Sequence, residues 1–556
     1  MSCTALNVVT RDLTVLEEPP EGQSPAGAQG VDTALDAFGL TDSPTRAGTV
    51  VFLVTGDSPP SPHGGVEDVA VRTAESAVSA LVLAHAELVD GTKDVALVLA
   101  GLGEPGPVRA SRVTLSRVPR EDDPASAGDT TRMLLWSGSG AGDETRTRAR
   151  LRLVVDGMTD DVFRALPAVV PCRPCPGPVR AAALCNSVNP TAALDAAKAF
   201  TADRPRPVAL LFPGQGSQHT KMASGLYRHE PVFTEAVDTV LDLMGAEGAA
   251  IRADWLAPHR PVIDMDDVRR AQPLLFAVDY ALGKLIMSWG VRPTALLGHS
   301  AGELVAAAFA GVVSLPDAVT MMRERVRHAL SVPAGGMLAV AASEAQLRPY
   351  LIAEVAVAAV NAELQTMLAG PAAQLSLVEK RLRADGHTVV TVPATSPFHS
   401  PAMAPAAEAV EREYTRIGFR SPDLALYSGY TGGLMSEQDA LSPRFWARQI
   451  TDTVYFRQAL DQLLAAEDTL LVEAGPRQTL TAFARRHPAV RSGASAVVPA
   501  LPARPRGPAA DRRSLLGAVA RLWTEGHDLN VASFSGPWAD GEDRAAPSSP
   551  VAPGGR

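Results

Sequence analysis

A serine flanked by glycines stands where a short apolar segment meets an apolar helix pattern. The sequence GHSAG at residues 298–302 follows the run TALL and leads into ELVAAAFAG. In a GxSxG sequence between a strand and a helix, the turn is sharp and the serine hydroxyl projects above the sheet. Glycines on both sides avoid steric clashes in this strained backbone. The pattern and its setting predict that Ser300 is a nucleophile.

A serine nucleophile needs a base within hydrogen-bonding distance, and a histidine held in one tautomer usually supplies it. The chain has 11 histidines. His399, in the segment SPFHS, follows the last strand of a predicted insert, where the chain returns to a larger domain. We therefore expect His399 to overhang Ser300, although the sequence leaves their distance open. His299 points in the wrong direction to serve its neighbour.

Two strand patterns end in glycine-rich turns. VALLF at residues 208–212 runs into PGQGSQ, and TALLG at 294–298 runs into Ser300. After Gly335 the patterns follow the order β-α-β-β-α-β to about residue 395. This order is typical of a ferredoxin-like subdomain. The sequence therefore predicts an α/β fold in which a small insert interrupts a larger domain.

Composition excludes several classes of protein. The 556 residues are 46% hydrophobic and 20% charged, which is typical of a globular protein, and the formal net charge of −10 argues against broad nucleic-acid binding. The N-terminus lacks a basic start followed by an apolar run, and no stretch of 18 apolar residues occurs, so we expect a cytoplasmic protein. Four cysteines do not make a disulfide scaffold.

Two weaker motifs have plainer interpretations. Gly101, Gly103 and Gly106 form GxGxxG after a strand pattern. Prolines and a further strand pattern follow where a nucleotide-binding helix should begin, so we interpret the motif as a turn that ends a strand. Cys172 and Cys175 lie among prolines without a second pair of ligands. We interpret them as loop cysteines rather than as a zinc or redox site.

Five sequence blocks give the pattern a more specific meaning. They are FPGQGSQ (212–218), AQPLLFAVDYAL (271–282), GHSAGELVAAAFAG (298–311), SPFHS (396–400) and LLVEAGP (470–476). In order and spacing these blocks resemble malonyl-CoA:acyl-carrier-protein transacylases and the acyltransferase domains of polyketide synthases. The resemblance covers about residues 206–500. It implies an acyltransferase fold with a large α/β-hydrolase-like subdomain and a small ferredoxin-like subdomain at about residues 335–395.

The resemblance implies a Ser-His dyad. Ser300 would be the acylated nucleophile and His399 its general base, with the backbone carbonyl of Gln449 orienting the imidazole in place of a triad aspartate. The backbone N–H groups of Gln215 and Ala301 would form the oxyanion hole, where fixed donors stabilise developing negative charge. No metal and no bound cofactor are implied.

The same resemblance implies three side chains that bind the substrate, malonyl-CoA. Arg325 matches the arginine that holds the free carboxylate of malonyl, since a planar guanidinium can donate two parallel hydrogen bonds to a carboxylate. Gln272 would line the same pocket. Phe398 matches the malonyl-selective form of the motif, in which a bulky ring leaves little room for an α-substituent. The small side chain of Ala301 would enlarge the pocket, so the choice of acyl unit stays open.

The flanking segments carry separate expectations. Residues 1–140 resemble a truncated β-ketoacyl synthase of the thiolase-like fold without its catalytic cysteine, so we expect no condensation chemistry there. Residues 141–205 resemble the linker between a synthase and an acyltransferase, and residues 501–535 resemble the segment that follows the transferase. The segments 20–30 and 536–556 are rich in Gly, Pro, Ser and Ala, and we predict that they are disordered.

An acyl carrier protein is the expected acceptor. No Asp-Ser-Leu attachment motif occurs near the C-terminus, so the carrier is expected to act in trans. Carrier proteins are acidic, and a basic surface would attract them. Candidates for this docking surface are Arg448, Arg457, Arg485 and Arg486.

These expectations describe a ping-pong acyltransferase of polyketide biosynthesis. It would move a malonyl-type group from coenzyme A to the phosphopantetheine thiol of a carrier protein through an ester on Ser300. Two alternatives stay open. An acyl-carrier-protein hydrolase would use the same dyad with water as acceptor, but it has no need of Arg325. A non-catalytic docking subunit would fit the degenerate N-terminal region, but the retention of Ser300, His399 and Arg325 argues against it.

Overall fold

A computed structural model describes residues 131–530 and Phe534, apart from gaps at 159–162, 164–165, 167, 172–176, 187, 228 and 258. Of the preceding residues it describes only the backbone of five strands, namely Ala5–Val15, Thr49–Val54, Val69–Ala74, Asp94–Ala100 and Arg109–Val118 (β1 to β5). β1 and β4 flank β5 in an antiparallel sheet, and β2 pairs with β3 in parallel.

Several predictions fall outside the described residues. They include the glycines of the GxGxxG motif, Cys172 and Cys175, and the segments 20–30 and 536–556. The strand predicted before the GxGxxG motif is confirmed as β4. The likeness of residues 1–140 to a truncated synthase stays a prediction, because strand backbones alone do not define that fold.

The next part of the chain forms a four-stranded sheet. Its strands are Arg132–Gly138, Val169–Pro171, Val179–Cys185 and Phe200–Thr201 (β6 to β9), and its helices are Ala141–Asp156 and Pro190–Ala196 (α1 and α2). The strand order is β7-β6-β8-β9. β6 lies before residue 141, the predicted start of the linker, and it pairs with β8 beyond that residue. The sheet therefore joins the two predicted segments.

A six-stranded sheet forms the centre of the large subdomain. Its strands are Val208–Phe212 (β10), Ala295–Gly298 (β11), Ala425–Ser428 (β16), Gly433–Leu434 (β17), Leu470–Glu473 (β18) and Ala496–Pro499 (β19). They lie in the order β17-β16-β11-β10-β18-β19, and every pair is parallel except β16 with β17. β10, β11 and β18 are fully buried, which explains their continuous apolar runs.

Helices pack on both faces of this sheet. They are Pro231–Leu243 (α3), Ala246–Leu256 (α4), Val268–Ser288 (α5), Gly302–Phe309 (α6), Leu315–Ala329 (α7), Ala404–Tyr414 (α10), Glu437–Ala440 (α11), Pro443–Arg448 (α12), Phe456–Ala466 (α13), Thr479–Ala484 (α14) and Pro488–Ser492 (α15). Successive side chains of a strand point to opposite faces. Leu210 accordingly packs with Leu282 of α5 in one core, and Leu211 packs with Leu460 of α13 in another.

The small subdomain is an antiparallel sheet with two helices. Its strands are Gly335–Val340 (β12), Ala356–Ala362 (β13), Gln365–Pro371 (β14) and Val389–Val392 (β15), and its helices are Glu344–Leu347 (α8) and Ala372–Ala384 (α9). The spatial order is β13-β14-β12-β15. This order is that of a ferredoxin-like unit, so the predicted β-α-β-β-α-β insert is confirmed.

A C-terminal helix at Pro508–Thr524 (α16) packs back onto the sheet of β6 to β9. The Trp523 indole N–H lies 3.1 Å from the carbonyl oxygens of both Trp136 and Ala181. The Arg180 guanidinium stacks over the Trp523 ring at 4.7 Å. Segments far apart in the sequence are thus joined around one tryptophan. Among the described residues, no helix has the length and apolar character needed to cross a bilayer.

Candidate active site

Ser300 lies in a tight turn between β11 and α6. Its backbone is left-handed, with φ +52°. A Cβ at Gly298 would lie 2.3 Å from the Glu303 backbone nitrogen, and one at Gly302 would lie 2.1 Å from the Phe212 carbonyl oxygen. Neither position has room for a side chain. The glycines of the GxSxG pattern are therefore required by close backbone packing, which presents the Ser300 hydroxyl at the end of the strand.

The turn after β10 lies directly beside this serine. β10 and β11 are parallel neighbours, so their carboxyl ends meet at one edge of the sheet. A Cβ at Gly214 would lie 2.4 Å from the His299 carbonyl oxygen and 3.3 Å from the Ser300 Cβ. The absence of a side chain at Gly214 lets the two turns touch.

His399 reaches Ser300 from the segment that follows the small subdomain. Its Nε2 lies 2.7 Å from the Ser300 hydroxyl oxygen, although 99 residues separate the two. The His399 Nδ1 lies 3.0 Å from the carbonyl oxygen of Asp452. A carbonyl only accepts hydrogen bonds, so the proton resides on Nδ1 and leaves Nε2 free to accept from the serine hydroxyl. The backbone N–H of His399 donates to the Ile450 carbonyl at 2.7 Å.

The carbonyl that orients the imidazole differs in part from the expectation. Gln449 is the residue predicted for this role. Its carbonyl does contact the His399 ring, but the His399 Nδ1–H donates its hydrogen bond of 3.0 Å to the carbonyl of Asp452, three residues further along. The carbonyls of Gln449 and Asp452 thus both face the imidazole, and the role of Gln449 stays a prediction.

The pKa of His399 is lowered to about 3, first by burial and then by the nearby charge of Arg325 and the His299 ring, while the Asp452 and Gln449 carbonyls oppose the shift. The imidazole is 3% exposed. A histidine with this pKa is neutral at physiological pH, which is the state that a general base requires. His299 faces away from the serine, and its Nε2 lies 2.8 Å from the Asn361 side-chain oxygen.

Two backbone N–H groups remain available near the Ser300 hydroxyl. Within the described part of the chain, the N–H groups of Gln215 and Ala301 donate no hydrogen bond, whereas those of Gly302 and Glu303 are paired. Gln215 follows Gly214 in the turn that touches Ser300, and Ala301 begins the turn leading into α6. Such donors at a helix start suit a developing negative charge.

Arg325 projects from α7 toward the same hydroxyl. One of its terminal nitrogens lies 3.2 Å from the Ser300 hydroxyl oxygen, and the side chain is 1% exposed. Its guanidinium stacks over the Phe398 ring at 5.2 Å. The Gln272 side chain donates to the Gln215 side-chain oxygen at 3.0 Å, beside the turn after β10. The structure thus brings Arg325, Phe398 and Gln272 to the neighbourhood of Ser300.

Two residues of the site, the buried Glu303 and the partly buried Tyr430, have no counterpart in the sequence prediction. Glu303 accepts hydrogen bonds from the Ser428 hydroxyl at 2.6 Å and the Gln449 amide at 3.0 Å. Burial raises the pKa of Glu303 to about 8. The ring of Tyr430 lies 6.0 Å from that of His399, and its hydroxyl lies beside Ser300 and Arg325. Glu303 belongs to the GHSAGE segment, but no sequence signal marks Tyr430.

The four arginines predicted for carrier docking differ in their surroundings. Arg448 forms two hydrogen bonds with Asp452, at 3.1 and 3.0 Å, and Arg457 lies 3.7 Å from Asp461. Arg486 donates to the Gln365 side chain at 3.2 Å, and Arg485 is exposed. Neighbouring carboxylates therefore offset the charge of two of the four.

One cluster of side chains has the composition of a metal site. Ligand atoms of Glu324, His328 and Glu413 lie within 4.8 Å of one another. Arg327 forms ion pairs with both carboxylates. The guanidinium supplies the positive charge between them, so we assign no metal to this cluster.

Comparisons with known proteins define the class. Residues 209–507, more than half of the chain, match the family model described as "Acyl transferase domain". The chain belongs to this acyltransferase family, and the resemblance drawn from five sequence blocks is confirmed. A phenolphthiocerol/phthiocerol polyketide synthase of Mycobacterium tuberculosis is 38% identical over 331 residues, which are 59% of this chain and 22% of that protein. The chain spans less than a quarter of the curated relatives that it matches.

Solved structures agree with this class. The acyltransferase domain of SpnD, in complex with 2-(pent-4-yn-1-yl)malonyl, is 28% identical with a TM-score of 0.62, and the likeness covers 74% of this chain and 98% of that one. The acyltransferase domain from the second module of the salinomycin polyketide synthase is also 28% identical, with a TM-score of 0.56 over 72% of this chain and 85% of that one. The predicted mixed α/β acyltransferase fold is confirmed.

Proposed function

We propose that this acyltransferase moves a malonyl-type group from coenzyme A to the phosphopantetheine thiol of an acyl carrier protein, through an ester on Ser300, in polyketide biosynthesis. The observation that carries the proposal is the convergence of three buried groups. The Ser300 hydroxyl lies 2.7 Å from the His399 imidazole and 3.2 Å from the Arg325 guanidinium. A nucleophile, its base and a carboxylate-binding cation share one site.

The chemistry proceeds in two half-reactions. His399 Nε2 takes the proton of Ser300 as the oxygen attacks the thioester carbonyl, and the N–H groups of Gln215 and Ala301 stabilise the oxyanion. The tetrahedral intermediate collapses, the C–S bond breaks, and His399 returns the proton to the departing thiolate of coenzyme A. In the second half-reaction the carrier thiol loses its proton to His399 and attacks the ester, the C–O bond to Ser300 breaks, and His399 returns the proton to the departing Ser300 oxygen.

Arg325 sets the class of acyl group. Its guanidinium is buried, and its Nε has no hydrogen-bond partner among the described residues. A buried cation without a carboxylate partner is costly, so an incoming carboxylate supplies the missing interaction. Phe398 lies against the guanidinium and narrows the space for an α-substituent. Malonyl fits these two constraints, and Gln272 lines the same pocket beside Gln215.

The acceptor is proposed from the family relationship and from surface charge. Acyltransferase domains of polyketide synthases work with acyl carrier proteins within multi-domain synthases, and the relatives of this chain are such synthases. Of the predicted basic surface, Arg485 and Arg486 have no ion pair among the described residues and are the stronger candidates for contact with an acidic carrier. We propose that residues 1–140 and 141–205 serve as a degenerate synthase region and a linker, and that 501–535 closes against that linker.

An acyl-loading experiment tests the proposed function. The protein is incubated with malonyl-, methylmalonyl- or acetyl-CoA, its intact mass is recorded, and a carrier protein bearing phosphopantetheine is then added. We expect a malonyl adduct that transfers to the carrier. Rapid loss of the adduct to water without transfer would instead indicate a hydrolase, and the absence of any adduct would indicate a docking role without catalysis.

Arg325→Ala tests the carboxylate grip. Charge-assisted hydrogen bonds contribute about 1.5 to 3 kcal/mol, so we expect the rate of malonyl loading to fall at least roughly 10-fold relative to acetyl loading. Arg323→Ala is the matched control, since Arg323 lies on the same helix but is exposed and pairs with Glu247. An unchanged ratio of malonyl to acetyl loading in Arg325→Ala would remove this role.

A further inference from the structure

Tyr430 carries a buried hydroxyl that the described structure leaves without a hydrogen-bond partner. Its ring is well packed, with its edge against Phe445 at 6.4 Å and a tilted contact with His399 at 6.0 Å. A phenylalanine would make both ring contacts equally well. Packing therefore explains the ring but not the oxygen, and an unpaired buried hydroxyl calls for a separate explanation.

The position of this hydroxyl points to a ligand. It lies within reach of the Ser300 hydroxyl and the Arg325 guanidinium but forms a well-aligned hydrogen bond with neither. The Nε of Arg325 is likewise buried and unpartnered. Two buried donors without a partner thus lie on side chains that approach the nucleophile from different elements of the large subdomain. Tyr430 follows β16, and Arg325 lies on α7.

The chemistry of an acyl carboxylate matches this arrangement. An ionised carboxylate has about four lone-pair sites, and a guanidinium uses at most two of them. A malonyl group on Ser300 ends in such a carboxylate. The remaining lone pairs would stay unsatisfied in a buried pocket unless a second donor reached them. A neutral tyrosine hydroxyl is such a donor.

We propose that the Tyr430 hydroxyl is a second hydrogen-bond donor to the free carboxylate of the acyl group, opposite Arg325, and that it helps to select dicarboxylic acyl groups. This inference rests on the proposed function. Tyr430 contributes to selection rather than to proton transfer, since the neutral His399 Nε2 is the base that accepts the serine proton. Substrates without a free carboxylate do not use it.

Tyr430→Phe is the direct test, because it removes one oxygen and keeps the ring contacts. Loading of Ser300 from malonyl-CoA and from acetyl-CoA is followed by intact mass in rapid-quench experiments. The loss of a hydrogen bond to a charged group corresponds to roughly a 10- to 100-fold change in rate or affinity. We expect kcat/KM for malonyl loading to fall by about this factor, with acetyl loading within about twofold of wild type.

Tyr350→Phe is the matched control. Tyr350 is in the small subdomain, where its hydroxyl donates to Asp385. Loss of this hydroxyl should change the loading rate of neither substrate. Binding of malonyl-CoA and acetyl-CoA to Ser300→Ala and to the double variant Ser300→Ala, Tyr430→Phe gives a second readout. Only the affinity for malonyl-CoA should weaken. Thermal unfolding establishes that each variant is folded.

The outcomes separate this inference from the function on which it rests. If Tyr430→Phe loads malonyl and acetyl with the wild-type ratio while the wild type acylates Ser300, the second donor is refuted and the acyltransferase function stands. If the loading rates of both substrates fall equally, Tyr430 positions His399, and selection by the Tyr430 hydroxyl is refuted. If wild-type protein forms no malonyl ester, both proposals fail.

Discussion

Ser300 and His399 share an uncommon backbone conformation. Both have left-handed φ angles, +52° and +63°, which cost on the order of 1 to 3 kcal/mol each for residues other than glycine. The surrounding structure holds them in place through the glycines that flank Ser300 and the hydrogen bond from the His399 N–H to Ile450. The strain coincides with the two residues that meet at 2.7 Å, which is where a preorganised reaction centre would store it.

The low pKa of His399 predicts an unusual pH profile. The pKa is lowered to about 3, first by burial, so the imidazole stays neutral down to pH 5. We expect kcat/KM for acylation to stay nearly constant from pH 7.5 to pH 5. A histidine with the ordinary pKa of about 6.5 would lose roughly 30-fold over that range. Quenched-flow acylation across this interval measures the profile.

An acid limb centred near pH 6.5 would contradict this account of His399. Stability must be followed in parallel, because the folded protein binds fewer protons at this site than the unfolded chain. The contribution of the neutral His399 to the free energy of unfolding therefore declines as the pH falls from about 6.5 toward 3. Circular dichroism at each pH distinguishes loss of fold from loss of base function.

At the scale of elements, Glu303 joins the segments that carry the site. It lies in the first turn of α6, three residues after Ser300, and it binds Ser428 at the end of β16 and Gln449 after α12. The Gly429 N–H adds a third hydrogen bond at 3.2 Å. The nucleophile turn is thereby fixed to the loop whose carbonyls hold His399. Glu303 acts as a structural bridge beneath the reaction centre.

Glu303→Ala should weaken both the fold and the site. It leaves buried donors of Ser428, Gly429 and Gln449 unsatisfied, and each such group costs about 1 to 3 kcal/mol. We expect the free energy of unfolding, measured with urea, to fall by about 2 to 4 kcal/mol. Acylation should slow as the His399 loop loosens.

Glu303→Gln is the conservative comparison. It keeps an acceptor oxygen for Ser428 and Gln449 and loses only the bond from Gly429. Its cost should be clearly smaller than that of Glu303→Ala. If Glu303→Ala were as stable as the wild type, the hydrogen bonds of Glu303 would contribute nothing to the free energy of unfolding.

The strands and helices are easier to predict from the sequence than the tertiary contacts between them. The strands before Pro213 and His299 and the β-α-β-β-α-β insert follow from apolar runs and turn residues, which are local signals. The GxSxG spacing likewise predicts the serine turn. The contact of His399 with Asp452, and the approach of Tyr430 to Ser300, depend on loop paths set by tertiary packing. A single sequence carries no pattern for those contacts, so it points to Gln449 and gives no sign of Tyr430.

At the scale of the whole molecule, a buried pair of carboxyl groups makes stability depend on pH. Asp279 on α5 and Glu473 on β18 are both inaccessible to solvent. Burial, together with the charge of Glu473, holds the pKa of Asp279 well above its usual range, and burial raises the pKa of Glu473 to about 7. Glu473 accepts N–H bonds from Leu480 and Thr481, but the Asp279 carboxyl has no partner among the described residues.

Raised carboxyl pKa values fix the direction in which stability changes with pH. The folded protein binds more protons than the unfolded chain above about pH 4.5, so this stabilisation is complete at lower pH and is lost as the pH rises through about 7. Asp279→Asn removes one of the two charges. We expect this variant to exceed the wild type in free energy of unfolding at pH 8 by about 1 to 3 kcal/mol, with a smaller gain at pH 5.

Urea unfolding at the two pH values measures this difference. Asp468→Asn is the matched control, since Asp468 is exposed and lies five residues before Glu473. Equal gains for Asp279→Asn at pH 5 and pH 8 would contradict the assignment of a buried carboxyl that ionises at the cost of stability.

The proposed function depends on Ser300 carrying the acyl group. Peptide mapping by tandem mass spectrometry after brief incubation with malonyl-CoA tests this assignment. We expect one malonyl group on the peptide that contains Ser300, with no adduct in Ser300→Ala and a strongly reduced rate in His399→Ala. A malonyl group on another residue, or a Ser300→Ala variant that is acylated like the wild type, would contradict it.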